Sequence, residues 1–421
     1  MKIIVTAVGS DGDINPMVEV SRKLLTRGHQ VDFCANAYFG PKVKNAGLTF
    51  LELGDEALYM EALQRPGVWD PRKGFHAVWQ FVRESLELNY QIVKERIEPG
   101  NTILVGTTLA MANRVLQDEL GIKVSTVHLS PCCIISAHEP MTGAGYPAPT
   151  ALPLWIKNAY VGLIDNLALD RVCRDDINKF RAAHDLPPVK SIFRKWLPSP
   201  NQVICAFPDW YAEPQPDWPA NSVCTGIPIF HKQEHENISQ EVQEFLQIGP
   251  PPVVVTPGSA MAQSEKYFKT ILQCLSGSNY RAIFVAKYSN KVLENLPPNI
   301  LLSPYEPFDL LFPKAQVVIH HGGIGTSAQC MNAGVPQMIT PFAHDQFDNA
   351  ARLEKLGVAK KPRVPNEFNF TNDPNGAWRK CLDSIIHDKK MRLQCQAIKA
   401  RIDSEPKPAD VIAEEICKLM V

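Results

Sequence analysis

An α/β fold of two Rossmann-like, doubly wound domains is predicted by three observations. Short apolar runs alternate with helix-length segments, glycines stand where those helices would end, and the alternation restarts near residue 251 after a polar break. KIIVTAV reads as the first strand, a helix follows over 16–27 and closes at Gly28, and QVDFCA with a helix closed by Gly47 repeats the unit. TILVG at 102–106, a helix running to Leu120 and capped by Gly121, and IKVSTVHL at 122–129 continue it. Residues 131–219 are rich in proline and aromatics and lose the alternation, as an excursion over the face of the first domain would; QVICAF and SVCTG then resume strands. HKQEHENISQE, 231–241, is polar. The predicted organisation is an N-terminal domain over 1–231, a linker over 232–241 and a C-terminal domain over 242–405. PPVVVTPGS, RAIFVA, NILLS and QVVIHHGG supply the strands of the second domain. A helix within 406–421 follows the proline-broken SEPKPAD and can pack back on the N-terminal domain.

With 421 residues, 45% hydrophobic and 21% charged, the chain can bury a large core, and its net charge of -1 offers no basic field for nucleic acid. The first apolar run breaks at Gly-Ser-Asp, as a strand would and a targeting segment would not. No apolar run approaches the ~20 residues that span a bilayer, so a soluble, cytoplasmic protein is expected. Eleven cysteines without a CxxC pair read as reduced thiols, and the adjacent Cys132 and Cys133 suit neither zinc nor an unstrained disulfide. The NIS and NFT triplets at Asn237 and Asn369 are set aside as chance.

The sharpest chemical signal is VVIHHGGIGTSAQCMNAGVPQMITPFAHDQFDNAARLEKLGVA, 317–359. A strand runs into two glycines and a helix opens near Thr326, so backbone amides and a helix N-terminus face an anion at the carboxyl edge of the sheet. His320 and His321 are consecutive on a strand and point to opposite faces, so one is structural and one functional, and His321 is assigned to the diphosphate. In the first domain GSDGDINP, 9–16, is not a dinucleotide fingerprint, which argues against a dehydrogenase. Asp13 in that turn reads locally as a helix cap, a role Asn15 could fill instead.

The HHGGIGT, AGVPQ and HDQFDNA elements together resemble the donor signature of the UDP- and dTDP-sugar glycosyltransferases, which include plant secondary-product, antibiotic and sterol enzymes. The resemblance implies the two-Rossmann architecture called GT-B, with the donor on the C-terminal domain and a cleft between domains. It implies that His321 and Thr326, beside Gly322, Gly323 and Gly325, contact the phosphates, and that Asp345 and Gln346 bond sugar hydroxyls. Tyr305 matches a base-stacking aromatic, and Gly258 and Ser259 match a turn near the phosphates; taken alone, Tyr305 reads as a core aromatic and Ser259 as a cap. Asp13 matches the position of the catalytic base.

Over nearly its full length the chain also resembles the rhamnosyltransferase catalytic chains of bacterial rhamnolipid synthesis, through WDP at 69–71, LSPCCIISAH at 129–138, FPDWYAEPQPDWP at 207–219 and AHDQFDNA at 343–350. This implies an activated deoxyhexose such as dTDP-rhamnose, a hydroxy-fatty-acid acceptor and peripheral membrane association through a lipid substrate. The expected reaction is inverting and metal-independent, with a nucleotide-diphosphate sugar as co-substrate and no resident cofactor. Trp69, Phe75, Trp79 and Trp155 are the expected acceptor aromatics, each equally readable as core. A UDP-glucose-dependent sterol or natural-product glucosyltransferase, a nucleotide-sugar epimerase and a non-catalytic activator subunit of the same fold are the competing readings.

Overall fold

Seven parallel strands make the sheet of the first unit: β1 (Lys2–Thr6), β2 (Gln30–Ala35), β3 (Thr49–Glu52), β4 (Thr102–Thr107), β5 (Lys123–His128), β6 (Gln202–Cys205) and β7 (Ser222–Cys224). They lie in the order β3-β2-β1-β4-β5-β6-β7. The computed structural model describes all residues except 66, 144–147, 231–236, 259–264, 287–292, 294, 365–375 and 421. Contacts divide the chain into two units, Met1–Phe230 with Pro406–Val421, and His231–Glu405.

Alternate residues of the central strands feed opposite faces, as the two-residue period of a strand requires. Ile3, Val5, Phe33 and Val105 join one core, under the helices Asp11–Thr26 and Pro408–Lys418; Ile4, Cys34 and Leu104 join the other, under Gly74–Lys94 and Met111–Leu120. Because both faces are covered, the strands read in sequence as unbroken apolar runs. The helix Pro408–Lys418 lies on Asp11–Thr26 with Ile412 and Ile416 fully buried. Lys23 pairs with Asp410 at 3.1 Å along the same seam. Each isoleucine contributes roughly 1.5–3 kcal/mol by leaving water.

Six parallel strands build the second unit: β8 (Val253–Thr256), β9 (Ala282–Val285), β10 (Ile300–Ser303), β11 (Val317–His320), β12 (Gln337–Ile339) and β13 (Ala359–Lys360), in the order β10-β9-β8-β11-β12-β13. The predicted pair of doubly wound domains is therefore observed. In each sheet the winding reverses once, between β1 and β4 and between β8 and β11, and the crevice beyond the carboxyl ends at that reversal is where such sheets hold ligands.

Three local expectations differ. The helix expected from Pro16 begins at Asp11, because Ser10 caps it and the Asp13 side chain completes a capping box, leaving Pro16 inside. Gln240 and Glu241, read as linker, open the helix Gln240–Gln247. The proline-rich excursion contains a nearly continuous helical run, Leu154–Ile164, Asp165–Asp170 and Arg171–Ala182. All eleven cysteines are free, and among the described residues no helix is long and apolar enough to cross a membrane.

Candidate active site

In the second unit β10, β8, β11 and β12 run parallel, so Tyr305, Gly258, His321 and Asp345, which follow them in turn, all fall at one edge of the sheet. Three strand spacings separate β10 from β11, about 14 Å. An extended nucleotide sugar is of that order.

His320, the last residue of β11, is buried and structural. Its Nδ1 accepts the Gly322 N–H at 3.1 Å, which fixes the proton on Nε2, and Nε2 donates to Gln337 Oε1 at 2.9 Å. Burial pushes its pKa down to about 4. This bond corrects one expectation: the Gly322 amide is already engaged and is not among the donors offered to a phosphate. Gly322 serves through its shape, with φ +91 and room for no Cβ, which would come within 2.8 Å of Ile339.

The His321 ring lies between two glycines. A Cβ on Gly258 would come within 2.6 Å of its Cε1, and one on Gly323 within 2.4 Å of its Nε2. Burial first, and His320 second, push its pKa down to about 3, so the imidazole is neutral. Its Nδ1 is enclosed and has no hydrogen-bond partner among the described residues. Next to it the helix Ile324–Ala333 starts at Gly323 without a side-chain cap, so the amides of Ile324, Gly325 and Thr326 face outward at the positive end of the helix. A Cβ at Gly325 would meet no described residue within 4 Å. A neutral imidazole and outward amides make an anion cradle.

Asp345 precedes the helix Gln346–Lys355, and its Oδ2 accepts Asn349 Nδ2 at 2.7 Å. Gln346 is more deeply set than a free sugar contact would be: its Oε1 accepts the Phe342 and Ala343 amides at 2.7 and 3.1 Å, shaping the turn. Only its Nε2 is left for a ligand. His344, just before Asp345, holds φ 58, a conformation non-glycine residues rarely adopt and one found near ligand sites. Tyr305 is 50% exposed, not the core residue its local sequence suggested. Ser259 lies outside the described residues, as does Asn369.

In the first unit the loop after β1 turns on Gly9, whose φ of +140 lets Asp13 Oδ2 sit where a Cβ would be, 2.2 Å away. That oxygen accepts the Ser10 N–H at 2.8 Å and the Ser10 hydroxyl at 3.3 Å, while Oδ1 bonds no described residue. Asp13 thus completes the capping box of the Ser10 cap through one carboxylate oxygen. Burial, with Cys133 adding to it and the Ser10 bonds opposing it, raises its pKa to about 6. Asp11 is not equivalent, since Lys42 pairs with its carboxylate and also reaches Asn15 Oδ1 at 2.5 Å. At the end of β5, His128 is buried, with Nδ1 3.0 Å from Thr108 Oγ1 and Nε2 without a hydrogen-bond partner among the described residues.

Thr108 escaped the sequence reading, and Cys133 entered it only as a reduced thiol beside Cys132. The Cys133 thiol is drawn well below the ordinary thiol range by Cys132, His128 and Thr108. The available signal was position: Thr108 directly follows β4, the strand beside β1, and Cys133 follows β5, the next strand along.

The four expected acceptor aromatics are not brought together. Trp79 is 2% exposed and belongs to the core, its Nε1 donating to Asp176 at 2.8 Å. Phe75 packs on that core and edge-on to Phe193 at 5.4 Å, Trp69 is half-buried, and Trp155 is 73% exposed on its helix. The correction has a simple cause. Trp79, Val82, Leu86, Tyr90 and Val93 follow helical spacing on one face, and that face is the buried one.

Comparisons with known proteins bear on the fold and on the class of protein. Residues 3–131 match the glycosyltransferase family 28 N-terminal domain, and 281–419 match the erythromycin biosynthesis protein CIII-like C-terminal domain. The chain is 28% identical to O-mycaminosyltylonolide 6-deoxyallosyltransferase of Streptomyces fradiae, over 86% of this chain and 85% of that one. It is 24% identical to a sterol 3-beta-glucosyltransferase of Neosartorya fischeri, over 98% of this chain but only 29% of the relative. Among solved structures, the glycotransferase of kitacinnamycin matches with a TM-score of 0.75 at 17% identity, over 100% and 99% of the two chains. The spinosyn rhamnosyltransferase SpnG complexed with thymidine diphosphate matches with a TM-score of 0.68 at 17% identity, over 98% and 99%. Two parallel-sheet Rossmann-like units matched over their whole length by such structures are the GT-B fold. The chain is a glycosyltransferase of that class, similar to the antibiotic and macrolide enzymes in both units.

Proposed function

We propose that this glycosyltransferase moves a hexose or deoxyhexose, L-rhamnose among the candidates, from a dTDP- or UDP-sugar to the hydroxyl of an apolar small molecule or lipid. The observation that carries the reading is the cradle formed by His321 and the uncapped start of Ile324–Ala333. The thymidine diphosphate named with SpnG and the deoxyhexose named for the Streptomyces relative support a dTDP-deoxyhexose. The rhamnolipid-type acceptor rests on the sequence resemblance, and the reading places the enzyme in the cytoplasm, meeting membranes through a lipid substrate. The sterol relatives support UDP-glucose and a sterol as the second reading.

Asp13 Oδ1 takes the acceptor's hydroxyl proton as its oxygen attacks the anomeric carbon from the face opposite the diphosphate, and the bond to the leaving phosphate oxygen breaks with inversion. A base with pKa about 6 is better matched to this task at neutral pH than one at 3.8. Charge on the leaving diphosphate is met by the Ile324, Gly325 and Thr326 amides, the Thr326 hydroxyl and His321. No metal is required, so transfer should persist in excess chelator; a requirement for added divalent ion would remove that part of the reading.

The test is a thermal-shift screen of UDP- and dTDP-sugars, followed by a panel of hydroxyl acceptors. A bound donor at a hundred times its Kd stabilises by about 2.7 kcal/mol. If no nucleotide sugar shifts the melt, the donor reading fails. If a donor binds and no acceptor receives sugar, the activator reading replaces it.

A further inference from the structure

We propose that Asn349 is a positioning residue for donor-sugar recognition, holding the Asp345 carboxylate in register with the phosphate turn through a single side-chain amide. The inference rests on the reading of Asp345 as a sugar contact.

Asn349 is 0% exposed, one turn into the helix Gln346–Lys355. Its Nδ2 donates to the Gly322 carbonyl at 3.0 Å and to Asp345 Oδ2 at 2.7 Å. Both partners can only accept, so chemistry settles which end of the amide faces them. Its two N–H groups match two acceptors, one on the turn that leads into the cradle and one on the carboxylate expected to meet sugar hydroxyls. The backbone repeats the link, since the Asn349 N–H bonds the Asp345 carbonyl at 2.9 Å, which stacks the two side chains on one helix face.

Other side chains cannot do this. Aspartate would set a third acceptor against two, serine is too short to reach both, and glutamine is a methylene too long for an enclosed site. On the same helix Arg352 bonds Asp348 at 2.7 Å, so the position next to Asn349 is already committed to a separate ion pair. Without the Asn349 amide the Asp345 carboxylate loses a charge-assisted bond and its tie to the Gly322 turn. The nucleoside diphosphate keeps His321 and the helix amides, which Asn349 does not touch. Asn349 therefore acts on the affinity that the sugar adds, and through it on which sugar is accepted.

The experiment is calorimetric titration of the full chain with a nucleoside diphosphate (UDP or dTDP) and with the corresponding nucleotide sugar found in the thermal-shift screen. The ratio of the two Kd values is compared in wild type, Asp345→Ala, Asn349→Ala, Asn349→Ser and the double alanine variant. The expected result is that Asp345→Ala changes the ratio about tenfold or more, and that both Asn349 variants reproduce most of that change. The double variant then adds nothing further. If Asp345→Ala changes the ratio and the Asn349 variants do not, Asn349 positions nothing and the inference is overturned, with the sugar-contact reading intact. If Asp345→Ala leaves the ratio at the wild-type value, the reading of Asp345 fails and the inference falls with it. Loss of nucleoside diphosphate binding by both Asn349 variants would assign the residue to the fold itself and also overturn the inference.

Discussion

Asp13→Asn should slow the enzyme and strengthen its fold at the same time. Burial raises the carboxyl pKa from 3.8 to about 6, a difference that corresponds to roughly 3 kcal/mol against the folded state once the group is charged. The sign follows from linkage. The folded chain holds this proton more tightly than the unfolded chain, so the cost is complete above pH 6 and disappears as pH falls from 6 toward 3.8. Asparagine keeps the shape and an oxygen for the Ser10 amide and never ionises. The variant should gain up to about 3 kcal/mol in urea unfolding at pH 7.5, roughly half of that at pH 5, and nearly nothing near pH 3.8. Transfer should fall by about 10²–10⁴ with donor affinity unchanged, because the donor cradle is built in the other unit. Equal urea midpoints for the two proteins at pH 7.5 would show that Asp13 is not a desolvated carboxylate. Wild-type transfer by the variant would move the base elsewhere, with His128 the candidate, since Lys42 already holds Asp11.

Gly325→Ala should fold at least as well as wild type, because its Cβ meets no described residue within 4 Å and alanine favours a helix by about 1 kcal/mol. Its donor Kd should nonetheless rise at least tenfold, as the methyl enters the phosphate space; an unchanged Kd by calorimetry would move the diphosphate elsewhere. Acid should weaken the second unit through His320 and His321, whose pKa values near 4 and 3 lie below the unfolded value of 6.5. Their stabilisation is complete above pH 6.5 and is lost as pH falls toward 4, up to about 2 kcal/mol each at pH 5. Replacing His320 by glutamine should flatten that part of the pH–stability profile. Turnover should rise with acceptor chain length by about 0.8 kcal/mol of added binding per buried methylene, and better turnover of short polar sugars would exclude an apolar acceptor.

How much of this was legible in sequence depended on whether the deciding contact was local. VVVT and VVIH announce buried parallel strands because nothing in such a strand faces water. The split between His320 and His321 follows from the strand period alone. What His320 does with its ring was not legible, because its second partner, Gln337, comes from a neighbouring strand. The difference between Asp11 and Asp13 was hidden in the same way, being set by Lys42 from another helix. The start of the first helix was legible and was misread: Pro16 looked like an opening residue, while Ser10 and Asp13 carried the capping pattern. Trp79 was misplaced for want of the helical period that assigns it to the core.

The return of the helix Pro408–Lys418 to the first unit has a consequence for biosynthesis. The core that contains Ile3, Val5 and Phe33 also contains Ala409, Ile412, Ala413 and Ile416, so it cannot close until those residues have left the ribosome. The whole of the second unit is translated in between, a delay of roughly 10 to 40 s at ordinary elongation rates. During that time the underside of Asp11–Thr26, the helix that carries Asp13, stands uncovered beside an otherwise assembled sheet. The nascent chain thus closes this core only once residues 409–416 are released, and a chain truncated before residue 409 should leave the underside of Asp11–Thr26 uncovered and be a ready client for chaperones.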